Sequence, residues 1–397
     1  MTQIKQHLED GQKRSTESRA EETTTQFELP MIAAQLLPSE QSAEPPVCTG
    51  GMWSKTIKQA ARLLLLALVA SVAILYILDR QSGSGSATSN AQAFRVNQAA
   101  PAFDLSQSSI AVEEILRGGP PKDGIPAISN PKFVTATAAD YMAPADLVVG
   151  VVIKNSARAY PLRILNYHEI VNDRMGSTLF AVTYCPLCDS VCVFDRRTPL
   201  GEREFGVSGL LYNSNVLMYD RRGNPESLWS QVRTTGVTGP GMEKPLKTLP
   251  VELTTWTDWK NRYPASEVLS LETGHRRDYS SSPYSSYFTT PQLMFPVNHE
   301  DNRLPKKTRV IGIWSDKSHL AVPETLFTGK GEDTEFESTL DGLKFTVRYS
   351  SESKSLRVVT ADSGLNWMYS LWFAWADRKS TRLNSSHSSV SRMPSSA

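Results

Sequence analysis

The chain has 397 residues, 40% of them hydrophobic and 21% charged, enough apolar material to core a globular domain and too much for a collagenous or uniformly disordered chain. Its formal net charge is +1 and no dense basic stripe is present, which removes the electrostatic case for nucleic acid, since phosphate affinity comes mostly from clustered Lys and Arg. Four cysteines are too few to build a fold of this size from disulfides.

Taken in chain order, residues 1–54 come first, polar and poor in aromatics, with eight acids and four bases in the first 52. They are expected to be a disordered cytoplasmic segment. Residues 55–80 hold an apolar run from 60 to 78, broken only by Arg62, Ser71 and Tyr76, whose nineteen residues make a helix of roughly 28 Å, a bilayer's hydrocarbon thickness. Lys55, Lys58 and Arg62 lie at or before its start, whereas Asp79 and Arg80 behind it nearly cancel. The positive-inside rule then predicts one transmembrane helix in the plasma (inner) membrane, with the N-terminus cytoplasmic and the following domain periplasmic or extracellular. A cleaved signal peptide fits less well, because more than fifty residues precede the run and no small-x-small site follows it. Residues 81–100, beginning Gln-Ser-Gly-Ser-Gly-Ser, read as a flexible linker.

Residues 101–376 are rich in Pro, Gly, Trp, Tyr and β-branched residues, the profile of short strands joined by tight turns. Strands are expected at 147–154, 179–184, 191–196, 216–220, 268–271, 310–314, 344–349 and 356–360, and helices only at 138–142 and 255–262. Turns are marked at 195–197, 222–225, 239–241 and 341–342. The predicted fold is mostly β, a barrel or a sandwich, with a few short helices and one transmembrane helix before it. Residues 377–397 are nearly all Ser, Arg and small polar residues, and the first eleven match a translation of a common sequencing adapter, so this tail is expected to be appended rather than part of the fold. Without it, 38 bases face 40 acids, a charge of −2.

Two segments concentrate the chemistry: 166–173, Asn-Tyr-His-Glu-Ile-Val-Asn-Asp, and 183–192, Thr-Tyr-Cys-Pro-Leu-Cys-Asp-Ser-Val-Cys. The two-residue spacing of Cys185 and Cys188 serves three chemistries. Both thiolates reach one metal ion, with His168 as a third ligand for zinc or copper; or they form a reversible redox pair; or, in an oxidising compartment, an inert disulfide. Cys192 reads as a small core hydrophobe more than as a ligand. His168-Glu169 fails the metalloprotease pattern His-Glu-x-x-His, because Asn172 stands where the second His is required. Pro161 is placed to start a helix carrying His168. For a catalysed reaction, Glu169 and Asp173 are the nearest candidate bases. Residues 277–287 add a polar-aromatic cluster with Tyr279, Tyr284 and Tyr287, suited to a pocket or to buried turn hydroxyls.

In this order Tyr160-Pro-Leu162, Tyr167-His-Glu-Ile-Val-Asn-Asp173, Thr183-Tyr-Cys-Pro-Leu-Cys188, the block at 205–214, Leu228-Trp-Ser-Gln231, Arg277-Asp-Tyr279 with Pro283-Tyr284, and Phe295-Pro-Val297 resemble the domain of unknown function 3179 family, from about 122 to 376. The resemblance implies a bacterial or archaeal protein, often exported or anchored, whose motif includes His168, Glu169, Cys185 and Cys188. It brings no reaction with it, and Cys192 departs from its pattern. The leading expectation is a membrane-anchored extracytoplasmic domain binding zinc or copper through Cys185, Cys188 and His168. The alternatives are an extracytoplasmic thiol-disulfide oxidoreductase and a non-catalytic binding module stapled by a disulfide. The partner is a protein or small molecule that the sequence does not identify.

Overall fold

The protein is described from a computed structural model over residues 102–381, residue 330 excepted. The expected cytoplasmic segment, membrane anchor and linker, and most of the expected tail, lie outside the described residues. Among the described residues no helix is long and apolar enough to cross a membrane.

The chain runs through β1 (Ile115–Arg117), β2 (Phe133–Thr135), β3 (Leu147–Ile153) and β4 (Ser156–Pro161) into the short helix α1 (Leu162–His168), then β5 (Ile170–Met175), β6 (Thr178–Cys185) and β7 (Ser190–Asp195). A small ribbon, β8 (Arg197–Thr198) and β9 (Gly201–Glu202), precedes β10 (Glu204–Tyr212), β11 (Asn215–Arg221), β12 (Leu228–Ser230) and β13 (Thr235–Gly236). β14 (Thr248–Leu249) and β15 (Glu252–Thr255) lead to α2 (Trp256–Arg262) and β16 (Glu267–Leu269). A long irregular stretch holding α3 (Ser285–Phe288) follows, then β17 (Arg309–Trp314), β18 (His319–Pro323), β19 (Thr334–Leu340), β20 (Leu343–Ser350), β21 (Ser355–Ala361), β22 (Asn366–Leu371) and α4 (Trp372–Thr381).

All eight expected strands are present. The expected helix at 255–262 is α2, whose Thr255 side chain caps it by accepting from the Asp258 N–H. The helix expected at 138–142 is instead a pair of separate turns, closed by Ala138 N–H to Thr135 O and Met142 N–H to Ala139 O. Pro144 follows at once and cannot continue a helix, and the Asp146 carboxylate takes the Ala143 N–H. The barrel expectation is corrected as well. The largest sheet runs β18-β17-β22-β7-β6-β5 with β14 beside β7, flanked by β15-β3-β4-β16-β2, β1-β10-β11-β12-β13 and β19-β20-β21, and all are open paths. The architecture is layered.

The layering follows from the period of two along a strand. In β6 Phe180, Val182 and Tyr184 join one core with Val191 and Val193 of β7, Val149 of β3 and Phe345 of β20. The intervening Ala181 and Cys185, with Cys192 and Phe194 of β7, join a second core with Phe205, Met218 and Trp229 of the β10–β12 sheet and the aromatic residues of α4. Burying both faces explains why 179–182 and 191–194 read as unbroken apolar runs rather than alternating ones. Each fully buried large side chain here contributes about 1.5–3 kcal/mol.

Gly150 of β3 marks one close approach: a Cβ there would lie 2.0 Å from the Trp259 ring of α2. Gly150→Ala is expected to cost about 1–3 kcal/mol by overpacking, seen as a lower midpoint of denaturant unfolding with an unchanged m-value.

Candidate functional site

Cys185 ends β6, and Pro186-Leu187-Cys188-Asp189 turns the chain into β7, with Cys185 paired to Ser190 and the Cys188 N–H closing the turn on Cys185 O at 3.2 Å. Asp189 takes a left-handed φ of 45°. Its carboxylate accepts from Tyr184 Oη at 3.0 Å and from Arg309 Nε at 2.6 Å, which pins the far side of the turn. Opposite stands the β10–β11 hairpin, whose tip Asn213-Ser214 is left-handed at both positions, φ 49° and 59°, as a tight hairpin with matching strand twist requires. This tip aims the Ser214 carbonyl at the two thiols, 3.1 Å from Cys188 Sγ and 3.9 Å from Cys185 Sγ. Both thiols are free, and they are 0% and 1% exposed.

Their surroundings treat the two sulfurs differently. Burial pushes the Cys185 thiol up, but the Cys188 thiol and the backbone N–H groups of Val216, Cys188 and Leu187, all directed at the sulfur, outweigh it and hold Cys185 below the ordinary thiol value. Burial and the neighbouring Cys185 charge push Cys188 well above it, against a hydrogen bond from Asn215. The two sulfurs are thereby pushed in opposite directions, Cys185 toward the thiolate and Cys188 toward the thiol. Glu169, at the C-terminal end of α1, lies close enough to Cys185 for their charges to oppose each other; burial first and that charge second push its carboxyl well above the usual carboxylate range. Its backbone is left-handed, φ 56° and ψ −32°, a conformation that costs a residue with a side chain about 1–3 kcal/mol. Its N–H bonds Leu165 O and its carbonyl takes the Tyr184 N–H, so helix and sheet together hold it there.

Behind the pair lies a closed polar network. Ser190 Oγ donates to Gln231 Oε1 at 2.6 Å, Asn215 Nδ2 donates to Gln231 Oε1 at 2.9 Å, and Gln231 Nε2 donates to Thr183 Oγ1 at 2.9 Å. All four residues are buried, and the network fixes the amide that Asn215 presents to Cys188. In front, residues 270–308 cover the site. Tyr287 Oη donates to the Leu187 carbonyl at 2.8 Å, Ser214 Oγ donates to Phe295 O at 2.8 Å, and the Asn298 N–H donates to Asn213 Oδ1 at 2.7 Å. Tyr284, Leu293, Phe295 and Val297 pack on the core that contains Cys185 and Cys188.

A family description, "Protein of unknown function (DUF3179)", matches residues 122–391. The chain belongs to this family. No curated protein and no solved structure matches the chain. The DUF3179 match runs past Ala376, across α4 and into the segment expected to be appended.

The residues singled out from the sequence of this DUF3179 protein separate in space. Cys185, Cys188 and Glu169 come together. His168 is carried by α1 as expected and is fully buried, but its ring nitrogens are engaged elsewhere, Nδ1 with Pro126 O at 2.7 Å and Nε2 with Tyr279 Oη at 2.6 Å. A carbonyl only accepts, so Nδ1 carries the proton and Nε2 accepts from the tyrosine. Neither ring nitrogen of His168 is directed at the thiols, and among the described residues no group of three or more His, Cys, Asp and Glu is arranged to hold a metal ion. Asp173 is on the opposite face of β5 from the Asn172 side that meets β10; it is held by Arg158 Nη1 at 2.8 and 2.9 Å and by Tyr160 Oη at 2.5 Å. These contacts give it a structural employment away from the thiols. Cys192 is buried in β7 as a core residue. The residue-level signals did not single out Ser214, Asn215 or Gln231; Ser214 and Gln231 do fall within the family blocks at 205–214 and 228–231, and Tyr284 and Tyr287 within the polar-aromatic cluster.

Two outcomes follow. Burial pushes His168 down to about 4 from its ordinary 6.5. The unfolded chain then binds a proton below pH 6.5 that the folded one refuses, so this contribution to stability is complete above 6.5 and is lost as pH falls toward 4. Unfolding midpoints measured from pH 7 to 4 should fall less steeply in His168→Gln. Asp173→Ala removes one of two carboxylates paired with Arg158, which keeps Glu267 at 2.8 Å, and should cost about 1–3 kcal/mol, while leaving thiol alkylation rates in the folded protein unchanged.

Proposed function

We propose that Cys185 and Cys188 form a redox-active dithiol in a thiol-disulfide oxidoreductase, with Cys185 the nucleophile, Cys188 the resolving thiol and Glu169 the proton carrier. The observation that carries this is the convergence of the two unjoined sulfurs on the Ser214 carbonyl, at 3.1 and 3.9 Å, beside the strained, buried Glu169. The Cys185 thiolate attacks one sulfur of a substrate disulfide, and the departing thiolate takes the proton of the neutral Glu169 carboxyl. Glu169 then accepts the Cys188 proton as that sulfur attacks Cys185, forming the intramolecular disulfide and releasing the second substrate sulfur as a thiolate, which takes its proton from solvent. Two electrons pass from the protein pair to the substrate, and the reverse sequence oxidises a substrate dithiol. Oxidising surroundings outside a plasma membrane, where the anchor expected at 60–78 would hold this domain, suit a pair that must be reoxidised.

A second reading has its own support. Two cysteine sulfurs converging on one carbonyl would, on losing the Cys188 proton to a bound ion, suit a soft monovalent copper. Equilibration of the reduced protein with defined thiol-disulfide buffers separates the two. A redox pair is expected to titrate between about −300 and −120 mV, and to lose this transition in Cys185→Ser and in Cys188→Ser. A potential below about −300 mV, or no disulfide at any poise, overturns the redox proposal. One copper per chain after anaerobic, chelator-free preparation, lost in Cys185→Ser, would favour the metal instead.

A further inference from the structure

We infer that residues 270–308 form a strap that gates the dithiol, latched by Tyr287 on one side and Ser214 on the other. Its purpose rests on the pair being redox-active, although the gating itself is a matter of geometry. Cys185 and Cys188 are buried to within 1% of their surface, so in this conformation no disulfide, small or large, reaches either sulfur. A nucleophile placed for exchange therefore needs a part of the fold that moves, and one segment supplies the front cover.

Several features mark that segment as the movable part. It spans the whole distance from the end of β16 to the start of β17 and contains one four-residue helix and no strand. Connections of such length inside a compact domain are commonly lids or binding loops. Its ends belong to different sheets, β16 pairing with β4 and β2 and β17 with β18 and β22, so it can lift with every one of these ladders intact. Its polar attachments at the thiols are few, and the apolar side chains it lays on that core, Tyr284, Leu293, Phe295 and Val297, are only partly buried. Tyr287 Oη holds the Leu187 carbonyl inside the Cys-Pro-Leu-Cys turn, and Ser214, whose own carbonyl faces the sulfurs, holds Phe295 O through its hydroxyl. Lys307 Nζ, 3.4 Å from the centre of the Tyr287 ring, ties Tyr287 O and Thr290 O to the root of the strap. Breaking such contacts costs far less than opening a sheet buried on both faces.

Cys192 supplies an internal control. It is as buried as the pair but sits within β7, paired with Thr183, and is uncovered only when the sheet opens. The full chain, kept reduced, is treated with iodoacetamide in its native state, and the modification of each thiol is followed by mass spectrometry. Cys185 or Cys188 is expected to react at least about tenfold faster than Cys192. Tyr287→Phe and Ser214→Ala, each removing one latch, should each accelerate the pair by about five- to tenfold, the factor for one hydrogen bond, and leave Cys192 unmoved. Equal rates at all three thiols, variants that move Cys192 in step with the pair, or variants that change nothing overturn the strap. Alkylation uses no oxidant, so this result stands apart from the redox potential: a pair with a structural potential can still be gated, and a redox pair can prove ungated.

Discussion

Burial of the β18-β17-β22-β7-β6-β5 sheet on both of its faces is the constraint from which the rest of this molecule follows. Alternate residues of β6 and β7 enter two different cores, so a polar group at the end of either strand has no water to turn to and must be answered from within the protein. On one face the answer is a salt bridge, Arg158 to Asp173 with Tyr160 alongside. On the other it is the network of Thr183, Ser190, Asn215 and Gln231, and the turn that this network supports holds the two thiols.

The same burial sets the chemistry of the pair. In water a thiol ionises near pH 8.5 and an isolated carboxyl near 4.3. Inside this domain the two move toward each other. Burial raises the Cys185 thiol, but donors from the turn and from a neighbouring hairpin outweigh it and lower it, whereas burial and the Cys185 charge raise the Glu169 carboxyl well above its usual range. Neither effect belongs to a residue type; each comes from which dipoles the folded chain directs at the group. The left-handed backbone of Glu169 and of the Asn213-Ser214 tip shows conformational strain gathered at the same place.

His168 illustrates the gap between proximity in sequence and proximity in chemistry. It precedes Glu169 directly, yet the end of α1 sends the two side chains to different partners, His168 to Pro126 and Tyr279, Glu169 toward Cys185. The sequence counts two cysteines and one nearby histidine together, whereas in the fold both ring nitrogens of that histidine are hydrogen-bonded to groups other than the thiols. Asp173 behaves in the same way: one further alternation along β5 puts it on the far side of the sheet from Asn172.

Local chain chemistry alone determined much of the framework. β-branched and aromatic runs between turn residues predicted eight strands, Pro161 the start of the helix carrying His168, and Thr255 with Tyr263-Pro264 the bounds of α2, because these signals act within a few residues. Cys-Pro-Leu-Cys marked the cysteine pair for the same reason. Tertiary structure alone decided that the sheets stay open and which of His168, Glu169 and Asp173 faces the sulfurs. Those outcomes depend on contacts between residues tens to more than a hundred positions apart, such as Tyr279 with His168 and Tyr287 with Leu187. A period of two says that a strand has two faces, and only packing says what each face meets.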